Sequence, residues 1–176
     1  MKRVCICLSF MLLAVLSFAQ TDIVGFPLTV AEAGYDGNNY TVFFYRDSAD
    51  SLGYYLALGT VDKISGSPVV FEQFSQTCIC LGTTMTEADS TLRFLMGYLQ
   101  EEPGTTMDCR ARLAVGPTLM EWVPCSCRVE KRIFGIRRLD FSMRTPAYTT
   151  MTYLRKGAIK NLLKSLEFYM KYHPEE

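Results

Sequence analysis

The stretch Thr77–Leu99, "TCICLGTTMTEADSTLRFLMGYL", changes its period partway along. Its first residues, Cys78 to Leu81, are apolar at every position, as in a central strand covered on both faces. After Gly82 the apolar residues Ala88, Leu92, Leu95, Met96 and Leu99 recur at helical spacing. Thr86 followed by Asp89 predicts an N-cap with an acidic partner in the first turn. Pro103-Gly104 ends the helix. A chain that passes from strand to helix here, and returns to strands afterwards, reads as α+β.

Upstream, Tyr40–Arg46 is aromatic and β-branched, and Leu52–Thr60 carries Leu52, Tyr54, Leu56 and Leu58 on one face. Both read as strands. A third strand is expected over Val69–Leu81, after turns at Asp47–Ser51 and Asp62–Pro68. Downstream, Met107, Cys109, Ala111, Leu113 and Val115 alternate with Asp108, Arg110 and Arg112, the pattern of a half-buried strand with one charged face. Gly116-Pro117 breaks it. Trp122–Val129 and Lys131–Met143 predict two further strands, the second with a bulge near Arg137-Arg138, and Tyr148–Thr152 a short last one. Ala158, Ile159, Leu162, Leu163, Leu166, Tyr169 and Met170 then form a wide apolar stripe on a closing helix. Lys156, Lys160, Lys164 and Lys171 line its other side, with Glu167 four residues before Lys171.

The fold expected is a mostly antiparallel sheet with two helices packed on one face, in the order strands, helix, strands, helix. A short echo accompanies that order. "TTMT" occurs at Thr83–Thr86 and at Thr149–Thr152, an offset of 66 residues, and "FS" at Phe74-Ser75 and Phe141-Ser142, an offset of 67. Such self-similarity is what an internal duplication leaves.

The first residues read separately. Lys2 and Arg3 precede an apolar run from Cys5 to Phe18, and Ser17 and Ala19 supply the small residues of a cleavage site before Gln20. The run is shorter than the roughly 20 residues that span a bilayer. Residues 1–19 are therefore expected to be a signal peptide of an exported, bacterial-type protein. Residues 20–39 are Gly-rich and aperiodic and read as an extended lead-in, and residues 40–176 as a single α+β domain. No integral membrane segment is expected after signal removal.

Charge separates along the chain. Thr21–Thr106 holds 3 basic and 11 acidic residues, whereas Met107–Glu176 holds 13 basic and 7 acidic. Two halves of opposite sign attract each other within one fold. Beyond Lys2 and Arg3 the net charge is −2, which argues against binding to a nucleic-acid backbone.

Five cysteines follow the expected signal, two pairs of them spaced Cys-x-Cys: Cys78 with Cys80, and Cys125 with Cys127. Residues i and i+2 of a strand stand about 6.6–6.8 Å apart. Sulfurs around zinc lie about 3.8 Å apart. The spacing therefore makes a poor chelate, and no metal or other cofactor is expected. Two readings remain. The thiols are small buried hydrophobes, as Cys109 between Met107 and Ala111 is placed to be. Alternatively, Cys78 or Cys80 joins Cys125 or Cys127 in a disulfide across adjacent strands.

Catalytic patterns are sparse. The single histidine, His173, follows the last helix and suits its dipole. The carboxylate pairs Asp47 and Asp50, Glu87 and Asp89, and Glu101 and Glu102 each sit at a turn or a helix end. The strongest binding candidate is the basic group Arg110, Arg112, Arg128, Arg132 and Arg138. On one open sheet face these guanidinium groups would hold a phosphate, sulfate or carboxylate. Ion pairs through Asp108, Glu130 and Asp140 would instead make that face an ordinary solvated one. The sequence thus predicts a secreted or periplasmic, non-catalytic domain that binds a protein partner or a small anionic ligand. The competing reading is a small exported hydrolase that uses a carboxylate or a thiol.

Overall fold

Strands β1 (Leu28–Tyr35), β2 (Asn38–Arg46), β3 (Leu52–Gly59) and β4 (Ser75–Gly82) precede helix α1 (Met85–Tyr98). Strands β5 (Thr106–Val115), β6 (Thr118–Lys131), β7 (Arg137–Arg144) and β8 (Thr149–Arg155) precede helix α2 (Lys156–Tyr172). The structure is a computed structural model that describes residues 28–46, 52–59, 75–115, 118–144 and 149–173. The expected signal peptide, its cleavage point, Asp47 and Asp50, the strand start at Val69 and the Gly116-Pro117 break lie outside the described residues. Among the described residues no helix is long and apolar enough to cross a membrane.

All eight strands join one antiparallel sheet, in chain order from β1 to β8. The fold is therefore mixed α+β. Its first half holds one strand more than the sequence pattern predicts, because part of the expected lead-in is β1. The signal for that strand is the hairpin turn. Asp36 and Gly37 both take positive φ, 54° and 76°, as a tight two-residue connection requires. Asp-Gly is the pair best suited to it, and it sets Tyr35 opposite Asn38.

Bulges between Thr29 and Ala31, Tyr54 and Tyr55, and Arg112 and Ala114 interrupt the register. Bulges bend strands and increase twist, and this sheet curls. Thr77 Oγ1 of β4 lies 3.4 Å from Thr150 Oγ1 of β8 although three strands separate them in the ladder. On the inner face, Ala31, Val42, Leu56, Ile79, Ala111 and Val123 stand opposite one another in turn from β1 to β6. They join Phe141, Leu139, Leu154 and the buried residues of both helices in the main core.

The helices do not lie as a simple pair on one face of a flat sheet. Helix α1 packs on β3 and β4, α2 runs along β1 and also touches β2 and β8, and the two helices meet. Helix α1 starts two residues earlier than expected, because its N-cap is Thr84 and not Thr86. Thr84 Oγ1 accepts from Glu87 N at 3.1 Å, and Glu87 Oε2 accepts from Thr83 N at 2.6 Å. The cap works from Thr84 because Gly82, at φ 141°, turns the chain out of β4 immediately before it. Helix α2 buries Ala158, Ile159, Leu162, Leu163 and Leu166, as its stripe predicts. Glu167 does not serve Lys171. It accepts from Arg93 Nη2 of α1 at 2.6 Å, and Lys171 sits over the Tyr172 ring. A second bond between the halves joins Arg155 to Asp36. Of these two pairs only Asp36–Arg155 joins an acid of the acidic half to a base of the basic half; in Arg93–Glu167 the signs are reversed.

The sequence echo is out of step with the repeated element order. The two helices start 71 residues apart, at Met85 and Lys156. The first "TTMT" spans the cap of α1, whereas the second opens strand β8. The echo therefore does not mark equivalent positions.

A candidate ligand-binding face

The outer face of the sheet changes character across its width. Over β2–β4 it is apolar and buried: Phe43, Tyr45, Tyr55, Ala57 and Cys78 form a second cluster with Ala114 and Leu119. From β5 onward it is charged. The register sets Cys78 opposite Arg112, and Arg112 opposite Trp122. Pro124 stands opposite Arg110, Asp140 opposite Arg128, and Glu130 opposite Arg138. Strand alternation therefore brings Arg110, Arg112, Arg128 and Arg138 to one face. Arg132 lies just past β6 and turns back toward that face to reach Asp140.

The five arginines then divide by partner. Arg128 Nε lies 3.0 Å from Glu130. Arg138 Nη2 donates to Asp140 Oδ2 at 2.8 Å, and Arg132 Nη2 is 3.7 Å from the same oxygen. Arg138 also lies over the Tyr153 ring, 4.7 Å from its centroid, and Tyr153 OH accepts from Asn38 Nδ2. These three arginines serve local ion pairs, as the solvated-face alternative expects. Arg110 and Arg112 are arranged differently. Their guanidinium carbons lie 4.4 and 5.4 Å from the centroid of Trp122, which is 46% exposed. Arg112 also donates to Leu119 O. Tyr55 approaches the same indole at 6.2 Å and links it to the buried aromatic cluster. Guanidinium groups on an indole gain cation–π energy.

Beside this group lies an open depression of about 460 Å³ lined by Asp108, Pro124, Cys125, Ser126, Ser142, Arg144 and Thr149. Ser126 stands opposite Asp108 on one side and Ser142 on the other. Among the described residues no carboxylate pairs with Arg110 or Arg144. Trp122, Ser126 and Ser142 escape selection by charge alone. Their even spacing with Arg128 and Asp140 along β6 and β7 is the signal that places them on one face.

Asp140 is the buried acid of this face. Burial pushes its carboxyl from 3.8 up to about 6, against the pull of Arg132 and Arg128. The other carboxylates singled out by sequence have structural work: Glu87 holds the start of α1, and Asp89 accepts from Arg93 Nε at 2.7 Å. His173 stacks on Tyr169, centroid to centroid 4.4 Å, at the end of α2.

The cysteines do not pair as the sequence allows. Strand β5 lies between β4 and β6, so Cys78 and Cys80 do not face Cys125 and Cys127. The sheet also parts them, because Cys78 and Cys80 belong to the outer cluster while Cys109, Cys125 and Cys127 point into the main core. All five are free thiols. Burial pushes Cys78 and Cys125 up to about 12. A hydrogen bond with Cys127 lowers the Cys109 thiol, and the same bond together with burial raises Cys127. Among the described residues no group of three ligand side chains is placed to hold a metal.

Comparison with family models, curated proteins and solved structures finds no match for this chain.

Proposed function

We propose that this chain is an exported, non-catalytic binding domain whose outer sheet face, over β5–β8, takes a small anionic group carried by a free ligand or by a partner. The observation that carries this reading is the Arg110–Trp122–Arg112 stack on an open face. An exposed indole flanked by two guanidinium groups has the composition of binding hot spots. The depression next to it supplies hydroxyls from Ser126, Ser142 and Thr149 and the charge of Arg144. Asp108 at its edge favours an anion that also carries a hydroxyl or amine donor.

Trp122 is the single tryptophan of the chain, so its fluorescence reports on this site alone. Titration with inorganic phosphate, sulfate and citrate is expected to change its emission saturably. Arg110→Ala and Arg144→Ala should each weaken the response by roughly tenfold, the value of one charge-assisted hydrogen bond. No saturable response to any of the three, or a response untouched by both substitutions, would overturn the reading.

A further inference from the structure

The turn between β6 and β7 presents apolar side chains where solvent meets the fold. Phe134 is 96% exposed, Ile133 79% and Ile136 49%. The flanking residues are Lys131 and Arg132 on one side and Arg137 and Arg138 on the other, and no acid lies within Lys131–Arg138. Phe134 also takes φ 65°, a conformation that is an outlier for a bulky residue and is ordinarily left to Gly or Asn. Neither packing nor turn chemistry places a phenylalanine there.

The tip is held rigidly from below. Arg132 N donates to Ile136 O at 2.8 Å, and Gly135 N donates to Arg132 O at 3.1 Å. Arg137 Nη1 donates to Leu99 O at 3.1 Å and Glu101 O at 2.8 Å, which fastens the hairpin to the end of α1. The apolar groups are therefore fixed pointing outward.

We propose that this hairpin tip docks the protein on an anionic lipid surface. Phe134, Ile133 and Ile136 enter the boundary between headgroups and acyl chains, and Lys131 meets the lipid phosphates. Area and charge together select this occupant. Three side chains on a two-strand tip offer far less than the roughly 800 Å² per partner of a stable protein interface. A membrane surface needs only a few apolar groups with a basic rim. This inference stands independently of the anion site around Trp122.

Flotation of the full chain with phosphatidylcholine vesicles, with and without phosphatidylglycerol, tests it. Binding is expected only when phosphatidylglycerol is present. Phe134→Gly should lower the bound fraction roughly tenfold or more, the partition value of one buried phenyl ring. The same substitution should leave the melting temperature equal or higher, because Gly takes positive φ without cost. It should also leave the Trp122 response to phosphate unchanged. Lys131→Glu, an exposed substitution, should weaken binding to the anionic vesicles. The proposal is overturned by absence of binding to phosphatidylglycerol vesicles, by equal binding to neutral ones, or by full binding of a folded Phe134→Gly variant. Capture of the tip by a protein partner with no vesicle binding would also overturn it.

Discussion

Asp140 carries two opposed influences. Its carboxyl is buried, which favours the protonated form, and Arg132 and Arg128 favour the ionised form. Burial prevails and moves it from 3.8 to about 6. The sign for stability follows from where the proton is bound. Between about pH 4 and 6 the folded chain keeps a proton that the unfolded chain has released, so this group's contribution is present below that window and is lost as pH rises through it. Two units correspond to about 3 kcal/mol at most, less for a site that water partly reaches. The urea stability of the native chain minus that of Asp140→Asn should therefore fall by about 1–3 kcal/mol from pH 4 to 6. A rise in that quantity over the range would show that the arginines outweigh burial. The residue was visible in the sequence as a charge opposite arginines. Its burial was not, because burial depends on how β7 is covered by neighbours on either side.

At the scale of the element, legibility followed periodicity. The stripe of α2 places its buried face correctly, and the alternation along β5 separates its core side chains from its arginines. Strand β1 is not legible in the sequence because "LTVAEAGY" holds Glu32 and Gly34 within a short run and lacks a clean alternation. Its pairing with β2 is set by the Asp36-Gly37 turn and by α2, where Ser165 accepts from Glu32 N at 3.2 Å. The start of α1 depends on a joint that no cap pattern contains. Gly82 lies at φ 141°, and a Cβ there would come 2.4 Å from Glu87 Cβ. Gly82→Ala should therefore cost about 1–3 kcal/mol of stability through strain and overpacking. Urea unfolding measures it, and a cost below about 0.5 kcal/mol would show that the joint yields freely.

Across the whole molecule, strand order decides what the cysteines can do. The sequence brings Cys78 and Cys80 into question with Cys125 and Cys127 only by supposing their strands adjacent. Neighbouring strands lie about 4.8 Å apart, so strands separated by a third lie about 9.6 Å apart. Disulfides need Cα atoms within about 7 Å. With β5 between β4 and β6, and the pairs on opposite faces of the sheet, that bridge is closed to the folded chain. Within the core, Cys109 stands opposite Cys125 in the β5–β6 register and shares a hydrogen bond with Cys127, both as free thiols. Alkylation of the native protein, read by peptide mass, should spare Cys78, Cys125 and Cys127, which are at most 5% exposed. Half-buried Cys80 and Cys109 should react first. After unfolding without reductant, all five should take up label. A native disulfide between either residue of the first pair and either of the second would contradict more than the redox state of the thiols. It would require β4 and β6 to be neighbours, and hence a sheet in a different order.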